Sequence, residues 1–220
     1  MKLENIFYIN LEKNVSRRQF MESQFKKLKI KVERFEAILP TPESLRNSDG
    51  LYFNIYKNHE KTRLRNIDQL LGEFGCFISH YEIHKIAEKN NYENYLILED
   101  DCHLQKKTIP LSNYWKNHNS IKNWDLIRCC RKSSEIPRLV NDFGTYDFNK
   151  EKWYGNPYAQ GSHFTLFNSK SNKKLLKLFS EKTYAVDNMY TDSSLLSYNV
   201  NLGTFINGNF ESDIIKEYEV

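Results

Sequence analysis

Three consecutive carboxylates, Glu99, Asp100 and Asp101, are the residues of this chain best suited to chemistry. They follow directly on an apolar run, Tyr95-Leu96-Ile97-Leu98, whose length and composition predict a buried strand. Unpaired charge is too costly to follow that strand into a core. The acids therefore belong where the strand leaves its sheet, and ligands of open α/β sheets bind beyond the carboxyl ends of the strands. In extended backbone Glu99 and Asp101 point to one side and Asp100 to the other. That spacing predicts a metal held by Glu99 and Asp101, with Asp100 left for a sugar or for orienting a neighbour. Hard oxygen ligands suit Mg²⁺ or Mn²⁺, which take one or two protein carboxylates plus substrate phosphates. An acidic turn after a core strand is the plain alternative.

The flanking elements must position those acids. Ile6 to Ile9 predicts a first strand, and Val32 to Ala37 a second. Between them Ser16 and Gln19 read as a capping box, with Val15 stapled to Phe20. The helix is predicted to run to Leu28, with Phe20, Gln24 and Leu28 near one stripe. Strand, helix and strand at this spacing form a βαβ unit, so the sheet starts parallel. Its first turn, 10–18, lies at a carboxyl strand end. There Asn10 and Leu11 can offer backbone groups to a base, and Arg17 or Arg18 can reach a phosphate.

Residues 39–71 are polar and irregular, with a short helix expected near 60–70. Gly72 to Asn90 predicts a helix whose Cys76, Ser79, His80, Ile83 and Ala87 share a sheet-facing face. Ser79 and His80 on that face are read as braces for the acidic strand end. Further strands are expected at Trp124–Cys130, Phe164–Phe167 and Leu202–Ile206. Helices are expected at 111–117, 171–180 and from Asp187-Asn188 through Leu195 and Leu196, for which Asp187 can serve as N-cap. Gly161, ahead of the Phe164 strand, predicts close backbone approach to a ligand.

Composition narrows the function. At 220 residues the chain is read as one domain, divided into halves 1–130 and 131–220. A net charge of +4, without a basic run or a basic–aromatic repeat, argues against nucleic acid. None of the four cysteines forms a zinc spacing, and reduced thiols are expected. No stretch approaches a transmembrane span and the first ten residues are not a signal peptide. The expected location is the cytoplasm, including peripheral contact with the cytosolic face of a membrane.

Four blocks together resemble glycosyltransferase family 25, the group holding bacterial lipooligosaccharide glycosyltransferases and procollagen galactosyltransferases. They are Tyr8-Ile9-Asn10-Leu11 with Arg17-Arg18, then Gly72-Glu73-Phe74-Gly75-Cys76-Phe77-Ile78-Ser79-His80. Leu98-Glu99-Asp100-Asp101 follows, and last the weaker Val186-Asp187 and Ser212-Asp213-Ile214. The chain departs from the family's usual pattern at Gly161-Ser162-His163-Phe164 and lacks a proline before Val186. The resemblance implies a GT-A-like, Rossmann-type mixed and mostly parallel sheet flanked by helices. It also implies a UDP-sugar donor, inversion at the anomeric carbon and a divalent metal, usually Mn²⁺. Galactose or glucose is the expected hexose, and a glycan, lipooligosaccharide or glycoprotein the expected acceptor.

The chemistry of that reading fits the residues. A metal would neutralise the leaving diphosphate, and a carboxylate would take the acceptor proton. Asp187 is favoured as that base, with Asp213 the next candidate or a tail residue closing on the diphosphate. A phosphohydrolase or nucleotidyltransferase would want further Asp/His clusters or a Gly-rich phosphate loop. A non-catalytic sugar- or protein-binding module would not need three intact acids.

Overall fold

A computed structural model describes residues 5–43, 67–104, 124–128, 161–181, 185–190, 192, 194–199 and 205–206. The apolar run before the acids is strand β3 (Asn94–Glu99), with β1 (Asn5–Asn10) beside it. Helix α1 (Val15–Leu28) leads from β1 to β2 (Glu33–Glu36), and the long helix α2 (Ile67–Lys89) leads into β3. After β3 come the short β4 (Cys102–His103) and β5 (Leu126–Arg128), then β6 (Phe164–Asn168). Helices α3 (Asn172–Glu181) and α4 (Val186–Met189) and strands β7 (Ser197–Asn199) and β8 (Phe205–Ile206) complete the described elements.

The main sheet has six strands in the order β2-β1-β3-β6-β5-β7. Strand β1 is parallel to both β2 and β3, and β5 is parallel to β7. Strand β6 alone runs the other way, antiparallel to β3 and to β5. This is the mixed, mostly parallel sheet flanked by helices that the family resemblance implies. One reversed strand has a consequence for function. The carboxyl ends of β1, β3 and β5 and the amino end of β6 all lie along one edge.

Alternation along the strands divides the core into two layers. Phe7, Ile9, Tyr95, Ile97, Leu126 and Phe167 pack on one face against α2, α3 and α4. Ile6, Tyr8, Leu96, Leu98, Ile127, Phe164 and Leu166 pack on the other, against Met21 and Phe25 of α1. Both faces of β3 are covered, which is why its sequence is apolar without a break.

Several local expectations need correction. Helix α1 starts at Val15 after Asn14, so Ser16 lies inside the helix and is no cap. Asn14 N donates to Leu11 O at 2.9 Å, and this turn fixes the start one residue before the Ser/Gln pair can act. Val15 is 44% exposed and staples nothing. The buried stripe is Met21, Gln24 and Phe25, because Gln24 is needed inside. Its side chain donates to Cys102 O and accepts from Leu104 N, holding the strand that follows the acids. Helix α4 is a single turn, and Leu195 falls in the connection to β7. The helix expected at 111–117, residues 60–66 of the one expected near 60–70, and Cys129, Cys130 and Asp213 lie outside the described residues, while 67–70 belong to α2.

Candidate active site at the carboxyl edge of the sheet

Strand β3 stays extended through Glu99 and then turns. Alternation therefore separates Glu99 from Asp100, as the sequence predicts, and ends there. Asp101 sits in the turn, so its direction is set by the turn and not by strand period.

Asp100 points toward β1 and α1. The Asn10 amide donates to its Oδ2 at 2.7 Å, and Arg17 Nη1 donates to its Oδ1 at 2.8 Å. Asn10 is almost fully buried and is the hub of the first βα turn. Its amide also donates to Asn14 O, and its Oδ1 accepts from Arg34 Nε. Burial pushes the Asp100 carboxyl up, against the opposing pull of Arg17 and Asn10. Arg18 is more exposed and lies 3.5 Å from Glu12. Leu11 is half-buried in the turn that closes onto Asn14.

Glu99 points to the other face, where α2 packs. The Ser162 hydroxyl donates to Glu99 Oε1, and His80 Nε2 lies 3.4 Å from the same oxygen. Antiparallel pairing places His163 across from Glu99, with Glu99 N donating to His163 O at 3.0 Å. Burial alone would raise the Glu99 carboxyl; His80 and Ser162 outweigh it and hold it below the usual range. Gly161, immediately before Ser162, has φ 113°, a left-handed backbone that favours glycine.

Asp101 is the least settled of the three acids. Burial, and next the charge of Glu99, push its carboxyl up to about 7. Its Oδ1 is buried without a hydrogen-bond partner among the described residues. A buried oxygen beside a second carboxylate fits a hard divalent cation, so Glu99 and Asp101 suit Mn²⁺ or Mg²⁺ in donor type and charge.

Ser79 belongs to a different joint. Its hydroxyl donates to Gly75 O at 2.6 Å and accepts from Ile38 N at 2.9 Å. It ties the loop after β2 to α2 and does not brace the acidic strand end. Gly75 makes that joint possible, since a Cβ there would lie 2.2 Å from Ile38 O.

Asp187 is not an N-cap. Ala185 holds that position, and Asp187 lies in the first turn of α4 with its Oδ1 accepting from Asn188 N at 2.9 Å. Buried Arg128, at the end of β5, donates to Asp187 O at 3.2 Å. That contact fixes the α4 turn beside the carboxyl edge.

Sequence reasoning missed Ser162, His163, Arg128, His84 and Tyr190. All are fully or nearly fully buried. His163 carries no hydrogen bond on either ring nitrogen among the described residues, and burial lowers it to about 4. A signal was present for two of them. Ser162 and His163 are polar residues leading into an apolar strand, the pattern that singled out the acids of β3.

Residues 3–190 match the family described as Glycosyltransferase family 25 (LPS biosynthesis protein). A "Glycosyltransferase 25 family member" of Aedes aegypti is 29% identical over 183 residues, which are 80% of this chain and 28% of that protein. Human "Procollagen galactosyltransferase 2" is 28% identical over 149 residues, 62% of this chain and 22% of that protein. The chain thus spans about a quarter of the length of these relatives. A solved glycosyltransferase involved in glycosylation of the major capsid of PBCV-1 superposes with a TM-score of 0.47 at 12% identity, over 90% of this chain and 81% of that one. With the match running from before β1 to the end of α4, through every block that meets at the carboxyl edge, this chain belongs to glycosyltransferase family 25.

Proposed function

We propose that the chain is an inverting, metal-dependent glycosyltransferase that moves a hexose from a UDP-sugar to an acceptor hydroxyl. Family membership supports the reaction class. One observation carries the assignment of the site. Two separately held carboxylates, Asp100 toward Asn10 and Arg17 and Glu99 toward His80 and Ser162, flank the strand end, with Asp101 Oδ1, which has no partner among the described residues, beside them.

In this reading Glu99 and Asp101 hold Mn²⁺ or Mg²⁺. When bound, the cation supplies Lewis-acid neutralisation of the leaving diphosphate. Asn10 and Leu11 face the nucleotide from the first βα turn. Arg17 is committed to Asp100, so it rigidifies that wall, and Arg18 is the arginine left to meet a phosphate. Gly161 lets the β6 backbone approach the donor. Asp187 takes the acceptor proton as the sugar bond forms, and an inverting displacement needs no covalent enzyme intermediate. Alignment of donor and acceptor in this edge then supplies much of the rate.

The human relative is named a procollagen galactosyltransferase, so galactose is the first sugar to test, with glucose second. The acceptor is a glycan, lipooligosaccharide or glycoprotein. No described helix is long and apolar enough to cross a membrane. Action in the cytoplasm or at the cytosolic face of a membrane is part of the proposal. Calorimetric titration with UDP in the presence and absence of Mn²⁺ tests the donor half. Binding that needs the metal supports the assignment, and metal-independent or absent binding contradicts it.

A further inference from the structure

A chain of buried hydrogen bonds runs from the core to Glu99, and its direction fixes where the protons are. The Tyr95 hydroxyl donates to Asn172 Oδ1 at 2.7 Å. The proton between Tyr95 and His84, 2.6 Å apart, therefore belongs to His84 Nδ1. His84 is fully buried and held neutral by that burial, so its Nε2 is bare and accepts the Tyr190 hydroxyl proton at 2.9 Å. Tyr190 has then spent its one proton, and its oxygen accepts from His80 Nδ1 at 2.8 Å. His80 Nε2, the ring nitrogen turned away from Tyr190, is fully buried, 3.4 Å from Glu99 Oε1 and without a hydrogen bond among the described residues. A buried ring nitrogen this close to a carboxylate oxygen offers two ligand atoms to one cation.

A third ligand atom is present. Cys76, one helical turn before His80, brings its Sγ so that thiol, imidazole and carboxylate atoms all lie within 4.8 Å of one another. We propose that Cys76, His80 and Glu99 form a second, softer metal site, which takes Zn²⁺ through one sulfur, one nitrogen and one oxygen. This donor set selects zinc over the hard cations that two carboxylates prefer. Donation of the far ring N–H, here to Tyr190, is the arrangement that orients a metal-binding histidine. Zinc bonds of about 2.0–2.3 Å draw the three atoms closer together. Binding replaces the Cys76 thiol proton, which is released to solvent, and leaves a fourth position for water. The site shares Glu99 with the donor-cation reading but needs neither donor nor transfer.

Cobalt is the probe. The full chain, stripped of metal with a chelator, is titrated with Co²⁺ and followed by absorbance. The expected result is a thiolate-to-cobalt charge-transfer band saturating at one equivalent, displaced by Zn²⁺ and lost in Cys76→Ser. The band should persist in Asp101→Asn, which is expected to lose manganese-dependent transfer, so the two readings fail on different variants. No thiolate band in the wild type, or a band that survives Cys76→Ser, overturns the proposal and leaves an imidazolium–carboxylate pair. If Cys76→Ser does not fold, iodoacetamide labelling of the wild type located by mass spectrometry decides. Zinc protection of Cys76 supports the site, and unchanged labelling overturns it.

Discussion

Arg17 of helix α1 places its Nη1 2.8 Å from Asp100 Oδ1, joining the first βα turn to the end of the third strand across 83 residues. With most of both side chains buried, this pair is not a surface ion pair. Breaking a buried pair by removing one partner is costly, because the other charge is left uncompensated. Arg17→Met should therefore destabilise the fold by about 3 kcal/mol in urea unfolding and weaken UDP binding. Arg18→Met should leave stability within about 0.5 kcal/mol. Equal losses for the two variants would contradict the division of roles.

Asp101→Asn should abolish manganese-dependent UDP binding while leaving the melting temperature at or above that of the wild type. The reason is that the change removes a buried carboxyl already crowded by Glu99. Calorimetry with UDP and Mn²⁺ and a thermal melt of the same sample are sufficient. Retained metal-dependent binding would remove Asp101 from the site.

Asp187→Asn separates catalysis from structure at α4. Asn keeps a side-chain oxygen for the Asn188 N contact, so melting should be near normal. Loss of a general base should lower transfer by about 10²–10⁴-fold, with UDP binding unchanged. Transfer within a few-fold of wild type would make Asp213 the next residue to test.

Much of this arrangement was legible from residue type and spacing, and the exceptions have physical causes. The apolar run into three acids placed the strand end, and period-two alternation separated Glu99 from Asp100 because β3 stays extended to Glu99. Alternation could not place Asp101, which lies in the turn. Ser79 read as a brace for the acids because helical spacing gives a face, not a partner, and its partner Ile38 comes from a loop 41 residues away. The partners of His163 and Arg128 are hidden from the sequence for a related reason. Only the antiparallel register of β6 sets His163 across from Glu99, and nothing local to either stretch encodes that pairing.

Gly75→Ala tests the packing of α2 on the loop after β2. Its Cβ would lie 2.2 Å from a backbone oxygen and 3.1 Å from Pro40 Cδ, so the helix must move. The expected loss is about 1–3 kcal/mol, read as a lower midpoint in urea. An unchanged midpoint would mean that the joint is loose.

Acid should destabilise the chain through His163. Its imidazole titrates near 4 when folded, against 6.5 for the ordinary value, because burial disfavours the charged form. The unfolded chain therefore takes up a proton first as pH falls. The stability is fully present above pH 6.5 and is lost progressively toward pH 4, by up to about 3 kcal/mol. His163→Gln should flatten that part of the pH profile in denaturant titrations. Identical slopes for the two proteins would contradict the assignment.

Sugar transfer at the carboxyl edge of β3 reads out as UDP release. The chain is incubated with UDP-galactose, UDP-glucose and other nucleotide sugars, with Mn²⁺ and a mixture of glycan and lipooligosaccharide acceptors. UDP release is expected with a UDP-hexose, dependent on acceptor, abolished by chelation and abolished in Asp101→Asn. Release that persists undiminished in the chelator or in Asp101→Asn, or no release from any donor, would contradict it.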